Sequence, residues 1–168
     1  MERLDRGTLD FGILIQPVDI SRYDSLPLPV KDTRGLILRK DHPLAKRKTI
    51  RPADFAELPI LLPKRLLRNE KLTGPIGEWF GEWGESVKVA GTFNLIFNAA
   101  LLVREGVGCA LGLDKLIERT SQSDLCFRPL NPKLEVGLDI VWKKSRIFSE
   151  AAEKFLDRLR EKLARQEQ

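Results

Sequence analysis

One histidine and two cysteines are all that the 168 residues offer as ready catalytic bases, thiol nucleophiles or soft metal ligands. His42 stands beside Pro43 in a turn-like stretch, so a histidine-based triad or metal centre has too little material. Cys109 and Cys126 sit in apolar surroundings without the spacing of a redox or zinc motif. They read as reduced core thiols of a cytoplasmic protein. No apolar run approaches the roughly 18 residues that a membrane-crossing helix needs, and Met1 opens no signal-peptide pattern. No membrane contact is expected. No GxGxxG follows a strand, and Gly106-Val107-Gly108 lacks a following phosphate-loop lysine. Neither enzymatic activity nor a metal or cofactor is expected.

The charge that is present has little pattern. A net charge of +5 raises the question of nucleic acid. The basic residues, Arg39, Lys40, Lys46, Arg47, Lys48, Lys64, Arg65, Arg68, Lys143, Lys144 and Arg146 among them, alternate with acids or sit in loops. No helix-turn-helix pattern, zinc spacing or aromatic-studded basic strand accompanies them. The excess reads as a solvated surface. With 42% hydrophobic and 32% charged residues, the chain has the balance of one globular domain or two small lobes.

Apolar runs alternate in type along the chain. Thr8–Ile15 reads as a strand with both faces covered, interrupted by Asp10 and Gly12. Leu26–Val30 and Gly35–Arg39 are extended segments around a polar joint, Lys31–Arg34, and Pro27 and Pro29 argue for an edge or crossing segment. Asp41-His42-Pro43 is a turn, Pro52 opens a short helix through Glu57, and Pro59–Leu62 is a strand. Lys64–Thr73 reads as a polar loop. Ile76, Trp79, Phe80 and Trp83 at i, i+3, i+4 and i+7 predict a helix with both tryptophans on one buried stripe. Lys115–Arg119 is a short helix, and Leu125–Leu130 and Val136–Trp142 are strands. Ser149 caps an amphipathic helix with Ala152, Phe155, Leu156, Leu159 and Leu163 on its apolar face. Alternating strands and helices predict an α/β fold with a largely parallel sheet.

The run Asn94–Gly112 is the most informative. Leu95, Ile96, Ala99, Ala100, Leu102 and Val103 surround a helix expected to be sandwiched. Gly106 suits the left-handed position after its end, and Gly108 a tight turn into a buried strand, Cys109–Leu113. Upstream, Val87–Gly91 is a strand, and Gly91-Thr92-Phe93-Asn94 feeds the helix. Its first amide groups have no intrahelical partner and suit an anion or polar ligand; alternatively, Asn94 simply caps a core helix.

Several of these segments resemble, in order and spacing, the effector-binding domain of LysR-type transcriptional regulators. Leu9-Asp10-Phe11-Gly12-Ile13 is similar to that family's glycine-led L-D-hydrophobic strand, with Gly7 as the leading glycine. Leu36-Ile37-Leu38 and Asp41-His42-Pro43-Leu44-Ala45 resemble its L-V-L-V…H-P-L-A segment, and Ile50–Leu62 the stretch that follows. Leu102–Leu111 is similar to L-V-A-A-G-L-G-I-A-L-L-P, with Gly112-Leu113-Asp114 replacing the usual proline. Ile140–Lys144 and Phe148–Leu156 resemble the closing V-W-x-K…L-S-x-A-A-x-x-F-L.

The resemblance implies a periplasmic-binding-protein-like (type 2) two-lobed α/β fold. Residues 34–144 would form a complete second lobe, and 1–33 with 145–168 a partial first lobe. It implies a small-molecule effector between the lobes, near the crossing segments Asp32-Thr33-Arg34 and the stretch after Trp142. Gln16, Pro17, Thr33, Thr92, Phe93 and Asn94 are the candidate site residues. Thr92 and Asn94 would offer hydrogen bonds and Phe93 an apolar cover, unless the threonines merely cap turns and Phe93 is core. DNA would be read only through a helix-turn-helix module absent from this chain. A stand-alone solute-binding or oligomerisation module is the rival reading.

Two strand–helix units of that family precede the L-D-hydrophobic strand. Without them, Leu9, Phe11, Ile13, Leu14 and Ile15 would present an open sheet edge and an apolar face. The chain is therefore expected to form a homo-oligomer, at least a dimer, with Phe155, Leu156, Leu159 and Leu163 near the contact. Sedimentation at micromolar concentration should show the dimer; a soluble, well-folded monomer would refute it.

Overall fold

Extended segments dominate the computed structural model, which describes residues 1–116 and 123–165. In chain order the elements begin α1 (Glu2–Asp5), β1 (Gly12–Ile15), β2 (Tyr23–Arg39), β3 (Pro59–Pro63), β4 (Leu67–Arg68), β5 (Lys71–Leu72) and α2 (Gly74–Phe80). They continue β6 (Lys88–Phe93), α3 (Ile96–Arg104), β7 (Cys109–Leu113), β8 (Leu125–Pro129), β9 (Glu135–Lys143) and α4 (Glu150–Ala164). The short helix expected over Lys115–Arg119 lies largely outside the described residues.

The chain divides into two compact units, Met1–Lys31 with Val136–Gln168, and Asp32–Glu135. The expected lobes differ chiefly in giving β9 to the second. Here β9 pairs with β1, and its Val141 shares a core with Leu4 and Tyr23. The two extended segments expected on either side of Lys31–Arg34 form one unbroken strand, β2.

In the Asp32–Glu135 unit, β2 lies between β8 and β7. Its residues pair antiparallel with both, Arg34↔Leu113 to Ile37↔Ala110 on one side and Gly35↔Pro129 to Arg39↔Leu125 on the other. β3 runs parallel to β7 and to β6. The sheet is therefore mixed rather than largely parallel. The strands reached by long crossovers, β3, β6 and β7, are parallel to one another, and β2 and β8 run in relation to them as their direct pairings require. One face packs Leu36, Leu38, Ile60, Leu62 and Leu111 against Ile50, Phe55, Ile76 and Phe80. The opposite face packs Ile37, Leu61 and Ala110 against Ala99 and Val103 of α3. Each such fully buried large apolar side chain contributes roughly 1.5–3 kcal/mol.

Three local expectations change. The stretch Lys64–Thr73 is a turn of 3-10 helix followed by the β4–β5 hairpin, whose Asn69 and Glu70 both take positive φ. Buried Leu66 anchors it. α2 stops at Gly81, so Trp83 leaves the buried stripe and is 39% exposed. Trp79 keeps its place, its Nε1–H donating to the Pro132 carbonyl at 2.6 Å. α3 is not sandwiched: Leu95 and Phe97 are 64% and 70% exposed, because sheet covers only the Ala99–Val103 side.

In the other unit, β1 is a short end strand pairing antiparallel with β9, Gly12↔Val141 to Ile15↔Leu138. The expected strand start at Thr8 is instead a turn held by Thr8 and Leu9 amides donating to the Arg3 carbonyl. Asp10 is tied to Arg146 at 2.8 Å. α4 opens with Ser149 Oγ accepting from the Ala152 amide at 3.3 Å, and buries Ala152 and Leu156. Phe11 stacks on Phe148, centroids 5.0 Å apart, and meets Trp142 edge-on at 6.2 Å.

Gly106 and Gly108 do different work. Gly106, at φ +78°, ends α3 in a Schellman arrangement: its amide donates to Val103 and the Val107 amide to Leu102. Gly108 permits contact, since a Cβ there would lie 2.3 Å from the Pro59 carbonyl oxygen. Gly106→Ala should cost about 1 kcal/mol, from its backbone conformation alone. Gly108→Ala should cost more, about 2–3 kcal/mol, because backbone must move. Denaturant unfolding of both variants tests that order; equal losses would contradict the close approach at Pro59.

Candidate functional site

Parallel strands that end together create a shared edge. In the Asp32–Glu135 unit, β3, β6 and β7 finish at Pro63, Phe93 and Leu113, and antiparallel β2 enters this unit at the same edge. Thr33 and Thr92–Asn94, far apart in sequence, thus come to one side of one sheet, the side where α/β sheets gather ligand-binding groups. β7 and β3 lie between their strands. Three spacings of about 4.8 Å put Thr33 and Thr92 roughly 14 Å apart across the sheet, too far to bond one functional group.

Each residue has a distinct setting. Thr92 is exposed and registers with Leu62, while Phe93 is half-buried against the core under α3. Asn94 is exposed and does not cap the helix. Leu95 holds that position without a side-chain hydrogen bond, so no side chain closes the first-turn amide groups of α3 there. Thr33 is linked twice to Asp114, its amide donating to Oδ1 at 3.1 Å and its carbonyl accepting from the Asp114 amide at 3.0 Å. Beside it, buried Asp32 receives Lys115 Nζ at 2.8 Å, a bond that raises the lysine pKa.

The polar joint also contains a residue not among the candidates. Arg34 is only 2% exposed, among the largest fully enclosed side chains of the unit. Burial pulls its pKa down to about 10, and the like charge of Arg65 adds to this. Arg65, in the turn after β3, is lowered by burial as well. An arginine directly before the apolar run Gly35–Leu38 was the available sequence signal, obscured by the hydrophilic residues preceding it.

Gln16 and Pro17 belong to the other unit. Gln16 Nε2 donates to buried Asp139 Oδ2 at 2.8 Å, and its amide donates to the Gly137 carbonyl at 3.0 Å. A side chain at residue 137 would meet Gln16 Oε1, so glycine there leaves the amide its room. Pro17 is exposed. Both cysteines are free; burial pushes the Cys109 thiol up to about 11, helped by Cys126, whose own pKa burial also raises.

Such α/β units, with polar groups gathered where strands end, define a ligand-binding class of domain. Residues 1–164 match the model of the LysR substrate binding domain, and the chain belongs to that family. An uncharacterized HTH-type transcriptional regulator of Bacillus subtilis (strain 168), YvbU, is 29% identical over 110 residues, 66% of this chain and 35% of that relative. The match thus spans well under two thirds of the relative's length. The regulatory domain of Synechocystis PCC6803 CcmR, solved in complex with 2-PG, is 17% identical with a TM-score of 0.76, covering 96% of this chain and 77% of that one. The effector binding domain of QuiR, in complex with shikimate, is 20% identical with a TM-score of 0.75, covering 93% and 72%. The fold is the type 2 periplasmic-binding-protein-like fold of LysR regulatory domains.

The raised Cys109 pKa makes the stability of the fold depend on pH. The unfolded thiol ionises near 9 and the folded one near 11, so its contribution is complete below pH 9 and is lost as pH rises to 11. The loss should be about 2–3 kcal/mol. Cys109→Ala should be less stable at neutral pH yet show a flatter decline over that range in denaturant unfolding. Parallel curves would contradict the buried, neutral thiol.

Proposed function

We propose that this chain is the ligand-sensing domain of a LysR-type transcription regulator, and that it takes a small anionic effector at the strand-end edge of the Asp32–Glu135 unit. The supporting observation is that Thr92, Phe93 and Asn94 stand together at that edge, with Thr33 about 14 Å along it, beside a nine-residue helix whose opening carries no side-chain cap. Amide donors and the positive end of a helix favour an anion. Phe93 and exposed Phe97 offer apolar cover for its body. The domain acts by binding rather than catalysis, in the cytoplasm, and DNA is read through a helix-turn-helix module outside this chain. Self-association is part of the same proposal, supported by exposed Ile13, Phe155, Leu101 and Leu102.

Thermal-shift screening of the chain against small carboxylic and phosphorylated acids, shikimate included, should yield a hit for titration calorimetry. Replacing Thr92 and Asn94 together by alanine should then cost about 1.5–3 kcal/mol of binding, a tenfold to hundredfold loss. Because neither side chain caps α3, stability should stay within about 0.5 kcal/mol. Unchanged affinity in the double variant would refute the assignment.

A further inference from the structure

We propose that the cavity between the β4–β5 hairpin, α2 and the start of β6 is a small-molecule site, separate from the strand-end edge, for an apolar organic cation of the arylalkylamine kind. The cavity measures about 380 Å³, within the range of small-ligand pockets. Its lining residues all belong to the Asp32–Glu135 unit. Leu67 and Leu72, opposite one another in the hairpin, and Val87 and Val89 make the lining apolar, and Val89 is left 44% exposed. Val87 and Val89 stand at the start of β6, whereas Thr92 and Asn94 stand at its end, roughly 16 Å along the strand.

The remaining wall is glycine. Gly77, Gly81 and Gly84 line the cavity along α2 and the 3-10 turn that continues it, Gly81–Ser86. Two of them have reasons within the fold. A Cβ at Gly77 would lie 2.7 Å from the Leu72 carbonyl oxygen, so α2 packs closely on the hairpin, and Gly81 takes φ +52°. Gly84 has neither reason. Its φ is outside the left-handed region, and an added Cβ would meet only the Phe80 Cβ, at an ordinary 3.7 Å. Protein interiors fill such apolar space with side chains, and here a glycine leaves it open.

Charge at the rim selects the ligand. Glu70 and Glu85 border the cavity, and no ion pair or hydrogen bond engages either carboxylate among the described residues. The neighbouring cations are placed otherwise. Lys88 pairs with Glu57. Lys71 also borders the cavity, but pleat alternation turns its side chain, with that of Arg68, to the face of the hairpin opposite Leu67 and Leu72. An apolar body carrying an ammonium group matches both lining and rim.

The test is a nitrogen–proton correlation spectrum of the chain titrated with phenethylamine, phenethyl alcohol and phenylacetate. The amine should give saturable shifts at the Gly77, Gly81 and Gly84 amides and bind about tenfold more tightly than the alcohol. Phenylacetate should not bind there. Glu70→Gln combined with Glu85→Gln should bring the amine down to the alcohol's affinity and leave the alcohol's unchanged. Gly84→Leu should abolish binding of both, with its unfolding midpoint followed in parallel; if that variant does not fold, the two carboxylates decide. Replacing Thr92 and Asn94 should leave the amine's affinity as it is, which separates this site from the effector edge. The proposal is overturned by the absence of saturable shifts, by equal affinity for amine and alcohol, or by binding that survives in a folded Gly84→Leu. Glycine shifts that follow protein concentration instead of amine would give the cavity to a second copy of the chain and overturn it equally.

Discussion

β2 is the constraint on which the other elements depend. Seventeen extended residues, Tyr23–Arg39, run through both units without a break. In the Asp32–Glu135 unit the strand is hydrogen-bonded on both sides, and Leu36, Ile37 and Leu38 are wholly buried on alternating faces. A one-residue slip would exchange the two hydrophobic faces, so the register is strongly specified. Gly35 tightens this further: a side chain there would collide with Phe127 and the Arg128 carbonyl. Because β2 is antiparallel to β7, its entry into the unit coincides with the ends of β3, β6 and β7. The candidate edge follows from that one direction.

The legible parts of the fold were those settled by local chemistry. Ser149 before an amphipathic run gave α4 its start, and Gly106 marked the end of α3. Buried runs such as Cys109–Leu113 read as strands because all their residues are apolar or small. The β4–β5 hairpin was hidden because its turn uses Asn69-Glu70, in which a glutamate rather than a glycine takes the second positive φ. The end of the Trp79 helix was hidden for another reason. Helical spacing to Trp83 continues on paper, but Gly81 adopts φ +52° and turns the chain out of the helix.

The candidate site was legible only in part, since placement on an edge is a property of topology rather than of any short segment. Thr92 and Asn94 are polar residues at a strand end and show themselves in sequence. Arg34 does not. Among Lys31, Asp32 and Thr33 it looks like one more hydrophilic residue, yet strand alternation turns it inward toward the Leu36 face. The overestimate of α3 burial has a related origin, because apolar periodicity reports how many faces could be covered, not how many neighbours are supplied.

The placement of the tryptophans makes the protein its own optical reporter. Trp142 is 7% exposed in the unit that contains α4, and the Arg160 guanidinium lies 5.8 Å from its ring. Trp79 and Trp83 belong to the other unit, one hydrogen-bonded to Pro132 and the other open to water. Indole emission moves to longer wavelength as water reaches the ring, so the three chromophores start from different colours. Keeping Trp142 alone, or Trp79 alone, would let the loss of structure in each half of the molecule be watched separately, without any attached dye.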